Sequence, residues 1–251
     1  MTLLNAILKR LGIAYEHFRR VLKSNPLRTW YYFSLNEFFS EAKNMGSCPN
    51  LNYYEFGVGW GRTLTSYIQA LKAFTHNKNL DFYDYHIFGF DSFEGLPETT
   101  DTRDKHLQWP KGAFSHGVAE IEHIVSKIGV DLKKGNLQFI KGFFDNTLTP
   151  SLREELAKYP PSIVTIDVDF YSSAILVLEW LRPILKSGTL FYFDDIWAFY
   201  GNPHYGELAA INEFNSKGEG GLTPFPVFGM ESLAYIYWNK EFELKTKLYY
   251  Q

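Results

Sequence analysis

Cysteine is nearly absent from this sequence, and this scarcity excludes two classes of protein. Cys48 is the only thiol among 251 residues. A single thiol forms neither an intramolecular disulfide nor a metal site with several thiolate ligands. The chain is therefore neither a disulfide-stapled domain nor a cysteine-based zinc protein. We expect a protein of the reducing cytoplasm.

Long apolar runs and an excess of basic charge are also missing. No segment approaches the roughly 20 consecutive apolar residues of a membrane-spanning helix, and the N-terminus lacks the regions of a signal peptide. We expect a soluble, unprocessed chain. Lys and Arg number 25 against 28 Asp and Glu, which gives a net charge of -3. Without a basic surplus to release counterions from phosphates, nucleic acid is not an expected partner.

The first 50 residues predict an N-terminal helical extension ahead of a sheet domain over residues 51–251. Apolar residues at helical spacing, with basic residues elsewhere, predict an amphipathic basic helix over residues 1–25. Such a helix packs on the domain or on a second subunit of a homo-oligomer, or it contacts an anionic membrane peripherally. Pro26 ends it, and a second, aromatic helix is expected over residues 28–45.

Beyond residue 51, short apolar runs alternate with longer segments of helical period, which predicts an α/β protein with a parallel sheet and helices on both faces. Strands are predicted near residues 52–56, 86–90, 137–140, 162–167 and 189–194, and helices near residues 62–75, 117–129, 150–158, 172–186 and 205–215. Two last strands, near residues 224–228 and 233–238, have no helix between them. They predict an antiparallel hairpin at one edge of the sheet.

A glycine-rich turn follows the first predicted strand. Gly57, Gly59 and Gly61 alternate there, just before a helical pattern begins. Glycines let the backbone approach a ligand closely at the carboxyl edge of an open α/β sheet. A dinucleotide-binding turn would have its third glycine where Arg62 stands. The carboxylate of Glu55 suits a cationic sulfonium or ammonium better than a phosphate, so the turn predicts a positively charged ligand.

A carboxylate also ends the second predicted strand. Asp91 stands at this position, where an acid can accept hydrogen bonds from both hydroxyls of a ribose. Together with the glycine-rich turn, Asp91 predicts a nucleoside site that favours a positively charged ligand.

Three carboxylates follow the fourth and fifth predicted strands, Asp167 after one and Asp194 and Asp195 after the other. If these strands are neighbours about 4.8 Å apart, the three acids converge and repel one another unless protons or a cation compensate. Oxygen ligands suit Mg²⁺, or Ca²⁺ or Mn²⁺, rather than structural zinc. Helix capping is the alternative role, and for Asp169 cap and ligand are equally open.

These blocks together resemble the class I S-adenosylmethionine-dependent methyltransferases, and among them the macrocin O-methyltransferase family of sugar-modifying enzymes. The resemblance covers residues 53–214 and rests on residues 55–63, 89–97, 141–148, 166–172 and 194–195. It implies a Rossmann-like class I methyltransferase fold with a mostly parallel seven-stranded sheet, an antiparallel edge hairpin and N-terminal helices. The family often has Gly where Val168 stands and Tyr where Ile196 stands.

The resemblance also implies which residues bind S-adenosylmethionine and Mg²⁺. The methionine half of the cofactor would be held by Glu55, Gly57, Gly59, Gly61, Arg62 and Thr63. Its ribose would be held by Asp91 with Ser92 and Phe93, and its adenine would lie beside Gly142, Phe143, Asp145, Asn146 and Thr147. Asp167 would also border the cofactor, and Asp167, Asp194 and Asp195 would hold Mg²⁺ and, through it, adjacent hydroxyls of a sugar.

Methyl transfer to a hydroxyl requires alignment with the sulfonium and removal of the hydroxyl proton. Asp167 is the first candidate for the base, because it would lie beside both the cation and the acceptor. The alternatives are His204, His106 and His116. The polar segment 98–112 is expected to close over the acceptor as a lid, in which Trp109 stacks on a sugar or on adenine or is simply packed beneath it.

Other functions remain open from the sequence. The acceptor, a hydroxyl of a small molecule or a glycan, could be a catechol-like phenol instead of a sugar, because vicinal phenolic oxygens also chelate Mg²⁺. A nicotinamide-dependent oxidoreductase would share the sheet but would need a pyrophosphate turn. A non-catalytic module that binds the cofactor and interacts with a partner would not need Asp167, Asp194 and Asp195 together.

Overall fold

A computed structural model describes residues 26–44, 50–225 and 233–239. The helices are α1 (Pro26–Asn44), α2 (Arg62–Lys78), α3 (Val118–Lys127), α4 (Phe144–Thr147), α5 (Pro150–Leu156), α6 (Tyr171–Leu181) and α7 (Gly206–Ser216). The strands are β1 (Tyr53–Phe56), β2 (Ile87–Asp91), β3 (Leu137–Lys141), β4 (Ile163–Ile166), β5 (Leu190–Phe193), β6 (Gly220–Phe225) and β7 (Leu233–Asn239). The basic helix predicted over residues 1–25 lies outside the described residues.

The strands form one sheet in the order β3-β2-β1-β4-β5-β7-β6. Strands β1 to β5 pair in parallel, and β7 pairs antiparallel with both β5 and β6. The predicted parallel sheet with an antiparallel edge hairpin is therefore confirmed. Because β1 lies between β2 and β4, the winding direction reverses between β1 and β4. Open α/β sheets bind ligands at the carboxyl edge beside such a switch point.

Two element boundaries differ most from the sequence prediction. Strand β6 begins at Gly220 rather than near residue 224. The side chain of Asn215 holds the start of this strand, because it donates to the backbone oxygen of Leu222 and accepts from its N–H. Helix α6 ends at Leu181 and gives way to a 3₁₀ turn over Arg182–Ile184. Pro183 lies in that turn and has no N–H with which to continue the α-helical hydrogen bonds.

Strands β1, β2, β4 and β5 are buried on both faces, which explains why their sequences are mostly apolar. Tyr54 and Phe56 pack with α6 and α7 on one face, and Tyr53 packs with α1, α2 and α3 on the other. Alternate residues of β1 thus enter opposite cores, as the two-residue period of a strand requires. This packing fixes the strand ends at which the polar residues lie.

Helix α1 contributes a hydroxyl to the core that it forms with α2, α3 and Tyr53. Pro26 occupies its first turn, where a missing N–H costs nothing. Tyr31 is fully buried, and its hydroxyl lies 3.1 Å from that of Tyr53 and 2.8 Å from Oγ1 of Thr165. Tyr53 in turn donates to Glu55 at 2.6 Å. A buried hydrogen-bonded network therefore connects α1, β1 and β4 beneath the glycine-rich turn.

In the ranges that the structure covers, no helix has the length and apolar character to cross a bilayer.

Replacing Tyr31 with Phe should lower the free energy of unfolding by about 1–2 kcal/mol, because buried hydroxyls would lose a partner. Urea denaturation measures this change. Tyr32→Phe is the matched control on the same helix, since its hydroxyl accepts from the exposed Asn77 side chain. The control should change stability by no more than about 0.5 kcal/mol. Equal losses in both variants would contradict the importance of the network.

Candidate active site

A cavity of about 640 Å³ opens at the carboxyl edge of the sheet beside the switch point. Its wall contains the turn after β1, the ends of β2 to β5 and part of the segment that follows β2. The predicted site residues that line it are Gly57, Gly59, Arg62, Thr63, Asp91, Ser92, Gly142, Phe143, Asp167, Asp194 and Asp195. The tertiary structure therefore brings these 11 predicted residues to one cavity.

The turn after β1 depends on a glycine at its first position. Gly57 has a φ of 83°, and a Cβ added there would lie 1.7 Å from the backbone oxygen of Asp167. No side chain fits in that space, so the backbone of the turn after β1 lies in direct contact with the backbone at the end of β4. Gly61, with a φ of 70°, then caps the start of α2.

Asp91 holds the same turn from the side of β2. Its Oδ2 accepts hydrogen bonds from the backbone N–H groups of Val58 at 2.7 Å and Gly59 at 3.0 Å. Its Oδ1 accepts from the N–H of Phe93 at 2.6 Å. A carboxylate offers about four lone-pair positions, so capacity for a ligand hydroxyl remains. Asp91 shapes the turn and still faces the cavity.

Glu55 lies behind the cavity wall and is fully buried. Burial raises the pKa of Glu55 to about 8, although the hydroxyl of Tyr53 donates to it. Glu55 is absent from the described lining of the cavity, so a ligand in the cavity would not contact it directly.

The ends of β4 and β5 form an acidic edge along the other side of the cavity. Burial first, and then the carboxylates of Asp194 and Asp195, raise the pKa of Asp167 well above its usual range. Burial and Asp195 raise the pKa of Asp169 to about 8. The predicted convergence of the three acids is therefore observed, and Asp169 joins them.

The acidic edge contains one further carboxyl group that the sequence did not indicate. Glu207, in the first turn of α7, is fully buried, and its pKa is raised by burial and by Asp195 and Asp167. No three His, Cys, Asp or Glu side chains in the described ranges are already arranged to hold a metal ion. The all-oxygen character of the edge nevertheless matches the ligands that a hard cation prefers.

The segment predicted as a lid is anchored at its centre. Asp104 is buried. Its carboxylate accepts hydrogen bonds from the hydroxyl of Ser172 at 2.6 Å and from the backbone N–H of Ser172 at 3.2 Å, and Ser172 lies in the first turn of α6. Trp109 is also buried, packs against Phe170 and Phe199, and lines the cavity. Trp109 therefore forms part of the cavity wall, whereas closure of the segment stays a prediction.

Several predicted residues lie away from the cavity lining in the described part of the chain. They are Glu55, Gly61, Phe93, Asp145, Asn146 and Thr147. The Thr147 hydroxyl donates to the backbone oxygen of Phe143, and a Cβ on Gly142 would lie 2.7 Å from the Thr147 methyl group. Thr147 thus packs against the turn that carries Gly142 and Phe143, while Asp145 and Asn146 are exposed.

The three candidate histidines have other neighbours. His204 is exposed, His106 packs on Trp109, and His116 packs on Trp60 with 3.6 Å between ring centroids. Among the described lining residues of the cavity there is no histidine. Asp167 is the predicted base that does line it.

Two aromatic wall residues were missed by the sequence analysis. Trp60 is 68% exposed and Phe114 is 51% exposed, and both line the cavity. Trp60 stands within the glycine-rich turn, so its proximity to the turn was a usable signal. Phe114 is distant in sequence and carries no such signal. Exposed rings beside a cavity offer flat surfaces to a ligand.

This fold and this site define a class I methyltransferase: a Rossmann-like sheet with one antiparallel edge hairpin and a glycine-rich turn at the switch point. The chain belongs to the Macrocin-O-methyltransferase (TylF) family, whose sequence profile matches residues 58–218. It is thus an S-adenosylmethionine-dependent O-methyltransferase. A search of curated protein sequences finds none that matches.

Solved structures share the fold. This chain is 19% identical to CalS11, a calicheamicin methyltransferase, over 92% of this chain and 90% of that chain, with a TM-score of 0.62. It is 17% identical to the O-methyltransferase NovP over 82% of this chain and 78% of that chain, with a TM-score of 0.59. At these identities the likeness concerns the fold alone.

Gly57→Ala should destabilise the protein by more than the roughly 1–3 kcal/mol of a strained backbone, because the added Cβ meets the backbone oxygen of Asp167. Gly59→Ala is the matched control: its φ is also positive, but nothing lies within 4 Å of an added Cβ. Thermal unfolding of both variants compares the two positions. A Gly57→Ala protein as stable as Gly59→Ala would show that the two backbones are not in contact.

Glu55→Gln should flatten the dependence of stability on pH. Between about pH 5 and pH 8 the folded protein keeps the proton of Glu55, whereas the unfolded chain has lost it. The native state then binds more protons, so the free energy of unfolding falls as the pH rises, by at most about 1.4 kcal/mol per pH unit. Urea denaturation of the cofactor-free protein across this range measures the slope.

The exposed Glu94 provides the control for this experiment. Glu94→Gln should keep the slope of the unaltered protein, whereas Glu55→Gln should reduce it. Indistinguishable slopes for all three proteins would mean that Glu55 is ionised in the folded state.

Proposed function

We propose that this protein transfers a methyl group from S-adenosylmethionine to a hydroxyl of a sugar, in a glycosylated natural product or a polysaccharide, with Mg²⁺ or a similar divalent cation at the acceptor. The observation that carries the proposal is the arrangement of one cavity, with the glycine-rich turn and Asp91 on one side and Asp167, Asp194 and Asp195 on the other.

The first side of the cavity fits S-adenosylmethionine. When bound, this cofactor supplies a methyl group on a positively charged sulfur. The open space at Gly59, where nothing lies within 4 Å of an added Cβ, leaves room for its methionine half. Asp91 offers remaining acceptor capacity to the ribose hydroxyls. Nearby carboxyl groups favour a cation over a phosphate. These features support a sulfonium nucleoside over a dinucleotide.

The acidic edge fits a divalent cation. The carboxyl groups of the edge raise one another's pKa values because their negative charges repel. A hard cation bound between them would offset this repulsion. Asp167, Asp194 and Asp195 would hold the ion. Its chemical contribution would be to lower the pKa of a coordinated hydroxyl.

Asp167 would accept the proton of the acceptor hydroxyl. It lines the cavity beside the backbone of Gly57, and so lies where the two halves of the cavity meet. A base at this point can act on an oxygen directed at the cofactor. The walls formed by Trp109 and Trp60 would limit the access of water and orient the acceptor.

A sugar is the acceptor that the comparisons favour. The matching family is named for an O-methyltransferase of macrocin, and one similar structure is described as a TDP-rhamnose 3'-O-methyltransferase. Aromatic walls also suit the apolar faces of sugar rings. A catechol-like phenol is the alternative acceptor. Family membership argues against the oxidoreductase and the non-catalytic module.

The cytoplasmic location, the homo-oligomer, the peripheral membrane contact of residues 1–25 and the domain boundary at residue 50 stay predictions.

Titration calorimetry with S-adenosylhomocysteine tests the cofactor site. The unaltered protein should bind, and Asp91→Ala should weaken binding at least tenfold, because the ribose loses an acceptor and the turn loses its support. Asp84→Ala, at an exposed acid before the start of β2, should bind as the unaltered protein does. Binding of NAD in place of S-adenosylhomocysteine would refute the proposal.

A further inference from the structure

A buried carboxyl group joins the two loops of the acidic edge. Glu207 is fully buried in the first turn of α7. Its Oε1 accepts a hydrogen bond from the backbone N–H of Val168 at 3.2 Å, and its Oε2 accepts one from the N–H of Asp195 at 3.3 Å. One side chain therefore contacts the backbone after β4 and the backbone after β5.

The two amides lie beside the residues proposed for the reaction. Val168 stands between Asp167 and Asp169, and Asp195 follows Asp194. The strands before them are neighbours, with Ile166 opposite Phe193. The N–H of Asp194 still bonds to the backbone oxygen of Ile166 at 3.2 Å. The two hydrogen bonds of Glu207 then extend the connection to Val168 and Asp195, two residues beyond the register pair on each side.

The position of Glu207 is itself fixed by packing. Gly206 has a φ of 54°, and a Cβ added there would lie 2.7 Å from the ring of Phe199. Phe199 packs on Trp109 at 5.5 Å between ring centroids. The start of α7 is thus held against the aromatic wall of the cavity, and Glu207 projects from a constrained backbone.

The carboxyl group of Glu207 matches the two amides because each of its oxygens faces one N–H. Glutamine would present one acceptor and one donor in the same place. An apolar side chain would fill the space but would leave both N–H groups without this acceptor, so the carboxyl group has a role that volume alone does not explain.

We propose that Glu207 is a positioning residue that sets the spacing between Asp167 and the Asp194–Asp195 pair. It does not touch substrate; it acts through the backbone of Val168 and Asp195. This role rests on the proposed function, because the spacing matters for a cation and an acceptor held between the loops.

Glu207→Gln tests the bridge, because it keeps the shape and replaces one acceptor with a donor. Backbone amide exchange, followed by nuclear magnetic resonance, should become at least tenfold faster at Val168 and Asp195. The affinity for Mn²⁺, titrated by electron paramagnetic resonance, should fall at least tenfold. The affinity for S-adenosylhomocysteine should stay within about twofold, since the glycine-rich turn is unaltered.

Two further variants separate positioning from general destabilisation. Glu213→Gln, later on α7 and partly exposed, should change none of the three readouts. Gly206→Ala keeps the carboxylate but displaces it through the Phe199 ring, and should reproduce the losses of Glu207→Gln. It also provides the test if Glu207→Gln does not fold.

Unchanged amide exchange at Val168 and Asp195 in a folded Glu207→Gln protein would overturn the proposal. So would a parallel loss of Mn²⁺ and S-adenosylhomocysteine affinity, since a merely structural role weakens both. If the unaltered protein binds S-adenosylhomocysteine but no Mn²⁺, the cation proposal fails separately, and the exchange of the two amides decides whether Glu207 bridges the loops.

Discussion

The contact between the turn after β1 and the end of β4 is the constraint on which the rest of the site depends. At Gly57 the two backbones are so close that a Cβ would overlap the carbonyl of Asp167. This contact places a cofactor-type turn directly beside the acidic edge. A methyl donor held by the turn and a methyl acceptor held by the acidic edge would then meet without movement of either loop. Group transfer between two substrates requires such positioning.

Carboxylates that accept backbone N–H groups build much of this site. Asp91 supports the turn after β1, Glu207 joins the loops after β4 and β5, and Asp104 caps α6. A backbone amide is a fixed donor, so each such bond converts a flexible loop into a defined wall. The same choice concentrates negative charge around the cavity, where burial raises the pKa of Asp167 and of Glu207. Burial of these acids costs stability at neutral pH, and it would favour a cationic ligand in the cavity.

The sheet, its edge hairpin and the cavity-lining residues at the strand ends could be predicted, because apolar runs, glycine spacing and terminal acids are local signals. Other positions could not. Glu55 is close to the turn in sequence, yet the strand geometry directs it into the core beside Tyr53. Asp145 follows the turn at Gly142, yet it is exposed on α4. Side-chain direction depends on the local helix or strand and its packing, which a motif does not specify.

The sequence by itself determined the α/β class, the order of elements, the glycine-rich turn and the acids at the strand ends, since each follows from periodicity or from a residue's own chemistry. Only the tertiary structure decided which of these residues share a cavity. It also decided that Glu207, 40 residues beyond Asp167 in the numbering, contacts both acidic loops. Such a contact depends on the packing of α7 against the aromatic wall, and packing between distant segments leaves no periodic signal in the chain.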